Sequence, residues 1–296
     1  MPNISKKTVS LVLGSGGARG LAHIGIIHWL EENHFQIGSI AGCSIGALIG
    51  GIYAAGKLDE FELWVRAITK MDMIAFLDLS WGKSGLVKGD RIINALVDLV
   101  GDKQIEDLPI PYTAVAADVR NQKEIWINSG RLFDAIRASI SIPLLFTPFK
   151  YRGIDLVDGG VLNPVPIAPT FGDDTHMTIA VNLDGTPEHP EKTSTAGSVS
   201  LPTSSWVRER INRFINHHQR PMMAGTSREW GAYDIAIQAF EAMQSTIARQ
   251  KLAAYPPDIL IEIARNACRT LEFDRASEMI ELGRRKAREC LSKLLA

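Results

Sequence analysis

The sequence predicts an α/β fold with a doubly wound, largely parallel central sheet and flanking helices. Two observations carry that expectation. Short apolar runs alternate with segments of helical periodicity along the chain, the pattern of a sheet whose strands are joined by helices. Two glycine-rich turns, Gly14–Gly20 and Gly42–Gly46, each stand between an apolar run and a helical pattern. No internal repeat is visible. With 296 residues the chain is long enough for one large domain of this kind.

Val9–Leu13 is a compact apolar run and reads as the first strand. It ends in Gly14-Ser15-Gly16-Gly17-Ala18-Arg19-Gly20, after which Leu21, Ile24, Ile27, His28 and Leu30 recur at helical spacing. A glycine loop between strand and helix offers backbone N–H groups to an anion. A phosphate-binding P-loop would need a lysine at its end, and none is there. A dinucleotide site would need glycine where Ser15 stands and an acid at the end of the second strand, which instead reads Ala41-Gly42-Cys43-Ser44. What remains is a nest of N–H groups over residues 14–20, suited to an oxyanion hole if an adjacent parallel strand brings a nucleophile beside it.

Ile37–Ala41 is the second strand, and Ala47–Ala55 a buried helix. Between them lies Gly42-Cys43-Ser44-Ile45-Gly46, a G-x-S-x-G sequence in the strand–turn–helix setting of a nucleophile elbow. Ser44 at the apex is expected in a strained conformation, with Gly42 and Gly46 letting strand and helix approach. The plainer alternative is a glycine-rich loop with an incidental serine. Cys43 reads as a small apolar filler.

From Asp59 to Leu99 the chain is mainly helical, interrupted by 79–86, a loop that either rims an acyl pocket or simply packs. Tyr112–Asp118 is a strand that pairs with Glu124–Ile127, and Asp118 is either a site residue or a loop cap. Arg131–Ser139 is a helix. Ser141–Pro148 is too apolar for an ordinary loop and is expected to be buried near the site. Ile154–Val157 is a short strand ending in Asp158-Gly159-Gly160, either a carboxylate projecting into a cleft or a plain turn. Met177–Leu183 is a further strand. Residues 186–205 read as a linker, Trp206–Arg220 and Ile235–Leu252 as amphipathic helices, Ile259–Ile263 as a late strand and Asp274–Leu294 as a closing helix. The expected organisation is one domain, 1–296, with a core at 9–183, a variable insertion at 186–254 and a closing strand and helix at 255–296.

The composition, 46% hydrophobic and 22% charged, is that of a folded protein, and a net charge of −1 gives no case for nucleic acid. Three scattered cysteines, Cys43, Cys268 and Cys290, form neither a disulfide framework nor a zinc site. The polar, lysine-bearing start does not read as a signal peptide, and no apolar run reaches 18 residues. A cytoplasmic protein is expected. Arg208, Arg210, Arg213 and Arg220 around an apolar face on Trp206–Arg220 add a peripheral contact at the inner face of the membrane, against the plainer reading of a core-facing helix.

A serine nucleophile needs a base. Of the seven histidines, His23, His28 and His34 precede the elbow on a helix, and His189, His217 and His218 fall in the variable region. His176 is the best candidate for a Ser-Asp-His triad. Against a triad, one strand–helix unit precedes the elbow, fewer than an α/β-hydrolase has. The alternative is a dyad in which Asp158 takes the serine proton directly.

The Gly14–Gly20 loop, the Gly42–Gly46 elbow and Asp158-Gly159-Gly160 together resemble the three motifs of patatin-like phospholipases. Ala138-Ser139-Ile140-Ser141-Ile142-Pro143 and the stretch from Pro257 to Ile261 resemble the bacterial RssA-like branch, related to the catalytic domain of neuropathy target esterase. The resemblance covers the first 185 residues or so and resumes from Pro256 to about Arg284. It implies a patatin-like fold and a Ser44–Asp158 dyad with an oxyanion hole from the glycine loop. It also implies hydrolysis of phospholipid or lysophospholipid esters, with no metal or cofactor. Ser15 stands where many members carry glycine. A requirement for φ > 0 there would exclude serine; a requirement for an N–H alone would not.

Overall fold

The computed structural model describes residues 7–69, 71–72, 87–188 and 232–295. The loop 79–86, the helix expected at Trp206–Arg220 and almost all of the linker lie outside them.

The run Thr-Val-Ser-Leu-Val-Leu forms β1 (Thr8–Leu13), and its period of two sorts the side chains. Val9, Leu11 and Leu13 enter the main core, while Val12 faces the opposite side and meets Val165, Ile167, Ala180 and Ala248. Both faces of the strand are covered, which is why it reads as nearly continuous apolar sequence.

Further strands are β2 (Gln36–Cys43), β3 (Tyr112–Asp118), β4 (Lys123–Ile127), β5 (Phe149–Tyr151), β6 (Ile154–Asp158), β7 (Met177–Gly185) and β8 (Ile259–Ala264). Among the described residues these form one sheet in the order β5-β6-β3-β2-β1-β7-β8, with β4 also paired to β3. The pairs β1–β2, β1–β7, β2–β3 and β7–β8 are parallel. The sheet is therefore mixed but mostly parallel, as expected.

The antiparallel pairs β3–β4, β3–β6 and β5–β6 gather at one side. Short connections force two of them. Arg152 and Gly153, both at positive φ, make the two-residue turn between β5 and β6. Chain order reverses at β1, which has β2 on one side and β7 on the other. The crevice beyond the carboxyl end of such a strand is where open α/β sheets bind ligands.

Helices cover the sheet: α1 (Ala22–Glu32), α2 (Ile45–Ala54), α3 (Leu58–Arg66), α4 (Asp90–Val100), α5 (Leu132–Ser139), α6 (Ala232–Ala254) and α7 (Ala276–Leu291). The sequence of α2, Ile-Gly-Ala-Leu-Ile-Gly-Gly-Ile-Tyr-Ala, is apolar all round, and the helix is buried almost throughout. On the main core side, α1 packs on α7 and α2 on β2, while Ala248 of α6 closes the other face. Among the described residues no helix is long and apolar enough to cross a membrane.

Candidate active site

Strand β2 ends at Cys43 and α2 begins at Ile45, so Ser44 alone makes the turn between them. Its φ of 56° and ψ of −122° lie where non-glycine residues are strained, at a cost of about 1–3 kcal/mol. The surroundings hold it there. The Ser44 N–H donates to Ser139 Oγ at 2.8 Å, and the Ser139 hydroxyl donates to the Val115 carbonyl at 2.6 Å. A Cβ on Gly42 would fall 2.5 Å from the Gly46 oxygen, and one on Gly46 would fall 2.0 Å from the Leu13 oxygen, so glycine is needed at both positions. Burial pushes the Cys43 thiol well up from its ordinary value, so it stays protonated, in keeping with a filler role.

Strand register brings Asp158 to the same place. Over Ala114–Asp118 one edge of β3 is taken by β4. The other edge is shared: β2 pairs as far as Val115, opposite Cys43, and β6 begins at Ala116, opposite Asp158. The aspartate therefore takes up the strand edge at the residue where the elbow leaves it. Asp158 is 1% exposed. Its N–H donates to the Ser141 carbonyl at 3.0 Å. Its carboxylate accepts the Gly160 N–H at 2.8 Å, with the Cys43 thiol at 3.9 Å and the Ser44 hydroxyl among the groups that favour its ionised form. Burial raises its pKa from 3.8 to about 6, although those hydrogen bonds pull the other way.

The glycine loop lines the same cleft as both. Three of its N–H groups hold the loop itself: Gly14 donates to Val181 at 3.0 Å, Ser15 to Pro164 at 2.8 Å and Ala18 to Thr270 at 2.9 Å. Gly17–Leu21 forms a 3-10 turn that includes Gly20. Among the described residues the N–H groups of Gly16 and Gly17 have no backbone acceptor, and both residues line a cleft with Ser44 and Asp158. Within residues 14–20, then, Gly14, Ser15 and Ala18 spend their donors on the scaffold, and Gly16 and Gly17 do not. Arg19 serves the scaffold too, giving Nε to Leu183 O at 3.0 Å and pairing with Asp184 at 3.4 Å. Ser15 has no positive φ, so serine is sterically acceptable there.

The cleft measures about 1200 Å³. Ile142, Pro143, Leu144 and Leu145 line one part of it, so the apolar stretch after Ser141 lies at this cleft, but facing it leaves these residues only partly buried and Leu144 exposed, rather than buried as expected. A buried cation braces that stretch. Arg137 donates to Ser141 Oγ at 2.6 Å, to Thr147 O at 3.2 Å and to Lys88 O, and lies against the rings of Phe146 and Phe149. Sequence reasoning missed the positions of Ser139 and Arg137. The available signal was polar residues set inside the apolar run Ala-Ile-Arg-Ala-Ser-Ile-Ser-Ile-Pro.

Other candidates lie elsewhere. Asp118 caps its own turn, accepting from Asn121 N at 3.1 Å and Asn121 Nδ2 at 2.6 Å. His176 pairs its Nδ1 with Thr8 Oγ1 at 2.7 Å, at the end of β1 opposite the glycine loop, too far away to be a base for Ser44. His189, His217 and His218 lie outside the described residues.

Comparison with known proteins follows the same lines. Residues 11–171, more than half of the chain, match the model of the patatin-like phospholipase family. Uncharacterised NTE family proteins of Mycobacterium bovis and Mycobacterium tuberculosis are each 39% identical over 331 residues, covering 97% of this chain and 92% of theirs. A lysophospholipase of Kluyveromyces lactis is 29% identical over 288 residues, covering 95% of this chain and 19% of its own length. On the family match and the near full-length similarity to NTE family proteins, this chain belongs to the patatin-like phospholipase family.

Proposed function

We propose that the chain is a serine hydrolase of lipid acyl esters, of the phospholipase A or lysophospholipase type, working through a Ser44–Asp158 dyad. The observation that carries this reading is the strand register that sets Ser44 beside Asp158, a buried carboxylate whose pKa burial lifts to about 6. Such a group is a stronger base than an ordinary aspartate yet ionised at neutral pH.

In this mechanism Ser44 Oγ attacks the ester carbonyl carbon as its proton passes to Asp158. The carbonyl oxygen becomes an oxyanion facing the Gly16 and Gly17 N–H groups. Collapse breaks the bond to the alcohol, which leaves with the proton from Asp158. Asp158 then takes a proton from water, the hydroxide adds to the acyl-enzyme, and the fatty acid departs as Ser44 regains its proton. The steps balance without a cofactor.

The substrate class rests on family membership and on similarity to a chain named as a lysophospholipase. Placement in the RssA-like branch is part of the same reading, on Ala138–Pro143 and Pro257–Ile261. So is action in the cytoplasm with contact at the inner membrane face. The test is turnover of a soluble short-chain ester and of a lysophospholipid panel by the parent and by Ser44→Ala. Turnover by the parent alone is the expected result. Turnover that survives in Ser44→Ala overturns the nucleophile, and none in the parent favours a lipid-binding module.

A further inference from the structure

The mechanism above makes no use of the buried His23. His23, in the first turn of α1, is completely buried. Its Nε2 lies 3.0 Å from the carbonyl oxygen of Gly14, the residue that opens the glycine loop. A carbonyl only accepts, so Nε2 carries the proton and donates. The other ring nitrogen, Nδ1, is buried and has no hydrogen-bond partner among the described residues. A buried histidine with one nitrogen unsatisfied costs stability, and a plain apolar residue would fill the space without that cost. Among the described residues the one polar contact of the ring is the bond to the loop.

The bond has a specific mechanical consequence. Gly14 starts the loop and His23 follows the 3-10 turn that ends it, so the side chain ties the two ends together. It grips the peptide between Gly14 and Ser15 from one side, while the Pro164 carbonyl holds the N–H of that peptide from the other at 2.8 Å. Glycine at 14, 16 and 17 gives this segment many alternative backbone conformations, and a peptide flip at Gly14 would re-aim everything downstream. With both ends of the peptide held, the flip is opposed, and Gly16 and Gly17 keep their place in the cleft that they line with Ser44.

We propose that His23 is a positioning residue that pre-organises the glycine loop for the oxyanion. This rests on the Ser44–Asp158 reading. His23 makes no contact with the reacting atoms; it acts through Gly14. Burial also keeps the ring neutral over the working range, with a pKa lowered to about 4, so the contact does not change with assay pH.

Three substitutions test it. Glutamine places an amide nitrogen near the position of Nε2 and can keep the bond to Gly14. Asparagine is too short to reach, and leucine has no donor. For His23→Leu and His23→Asn, kcat should fall about 10- to 100-fold with KM unchanged within about threefold, since an oxyanion contact is made only in the transition state. His23→Gln should return kcat to within about fivefold of the parent. The rate of inactivation by an organophosphonate should follow the same order. Melting temperatures and circular dichroism are recorded for every variant. If His23→Leu does not fold, the contrast between His23→Gln and His23→Asn decides. Equal kcat in those two, whatever their stabilities, overturns the positioning role and leaves His23 a core residue. Ser44→Ala runs alongside: if it stays active the dyad reading fails, whereas if it is dead while the His23 variants keep full kcat, this proposal alone fails.

Discussion

Cys43 and Asp158 pair with consecutive residues on one edge of β3, Val115 and Ala116. Since Ser44 follows Cys43 directly, this register sets the serine and the carboxylate side by side without a loop having to find its place. The backbone of the pair is then fixed from one segment: Ser139 Oγ accepts from the Ser44 N–H and the Ser141 carbonyl accepts from the Asp158 N–H.

If Asp158 is the base, only its ionised form is active. The value of kcat/KM should therefore rise with pH through about 6 and level off above it. Asp158→Asn should lower kcat by about 10²- to 10⁴-fold and remove that limb. His176→Ala should stay within a few-fold of the parent, because its ring bonds Thr8 at the far end of β1. A pH–rate profile for the parent and both variants checks all three. Loss of activity in a folded His176→Ala would sink the dyad.

The raised pKa also has a stability consequence. Folded Asp158 titrates near 6 and the free carboxyl near 3.8, so between these values the folded state holds more protons. Its contribution to stability falls as pH rises through that window, reaching a cost on the order of 3 kcal/mol above about pH 6. His23 works the opposite way. Its folded pKa of about 4 lies below the ordinary 6.5, so its contribution is complete above 6.5 and is lost as pH falls toward 4. In the parent the two slopes oppose each other between about pH 4 and 6. Asp158→Asn should melt higher than the parent at pH 8, and its advantage should vanish by pH 4. Thermal melts of the two proteins across that range are the measurement.

Ser139 offers a third handle. In Ser139→Ala the Ser44 N–H loses its acceptor and the Val115 carbonyl loses a donor, both in the buried interior. Each group left unpaired costs about 1–3 kcal/mol. Denaturant unfolding should register at least one such penalty. Release of the strained Ser44 backbone should lower kcat by about tenfold or more with little effect on KM. An unchanged kcat would mean that the elbow holds its shape from strand and helix alone.

Local signals were legible in the sequence and long-range ones were not. Val9–Leu13 and the glycine pair around Ser44 announced strand, turn and helix because period-two burial and Cβ exclusion act on neighbours along the chain. The strand at 37–41 was extended to Gln36–Cys43 by pairing with β1 and β3, which no local pattern encodes. The sorting of the glycine loop into spent and open donors depends on Val181, Pro164 and Thr270, residues distant in sequence. Ser139 looked like one small polar residue at a helix end. Its role exists only because α5 delivers it between Ser44 and Val115.

The open donors give the last prediction. Gly17 has a φ of +58°, and a Cβ there would fall 2.4 Å from the Thr270 carbonyl oxygen. Gly17→Ala must therefore shift the loop or Thr270, and the fixed bond from the Ala18 N–H to Thr270 O at 2.9 Å goes with it. Removing one oxyanion donor costs about 10²- to 10³-fold in kcat, and Gly17→Ala should approach that loss while substrate binding changes little. The geometry can be seen directly in the adduct of the parent with a serine-reactive organophosphonate. Its phosphoryl oxygen should sit within hydrogen-bond distance of the Gly16 and Gly17 N–H groups. An adduct whose oxygen points to another part of the cleft, or a folded Gly17→Ala with the parent's kcat, would move the oxyanion site away from this loop.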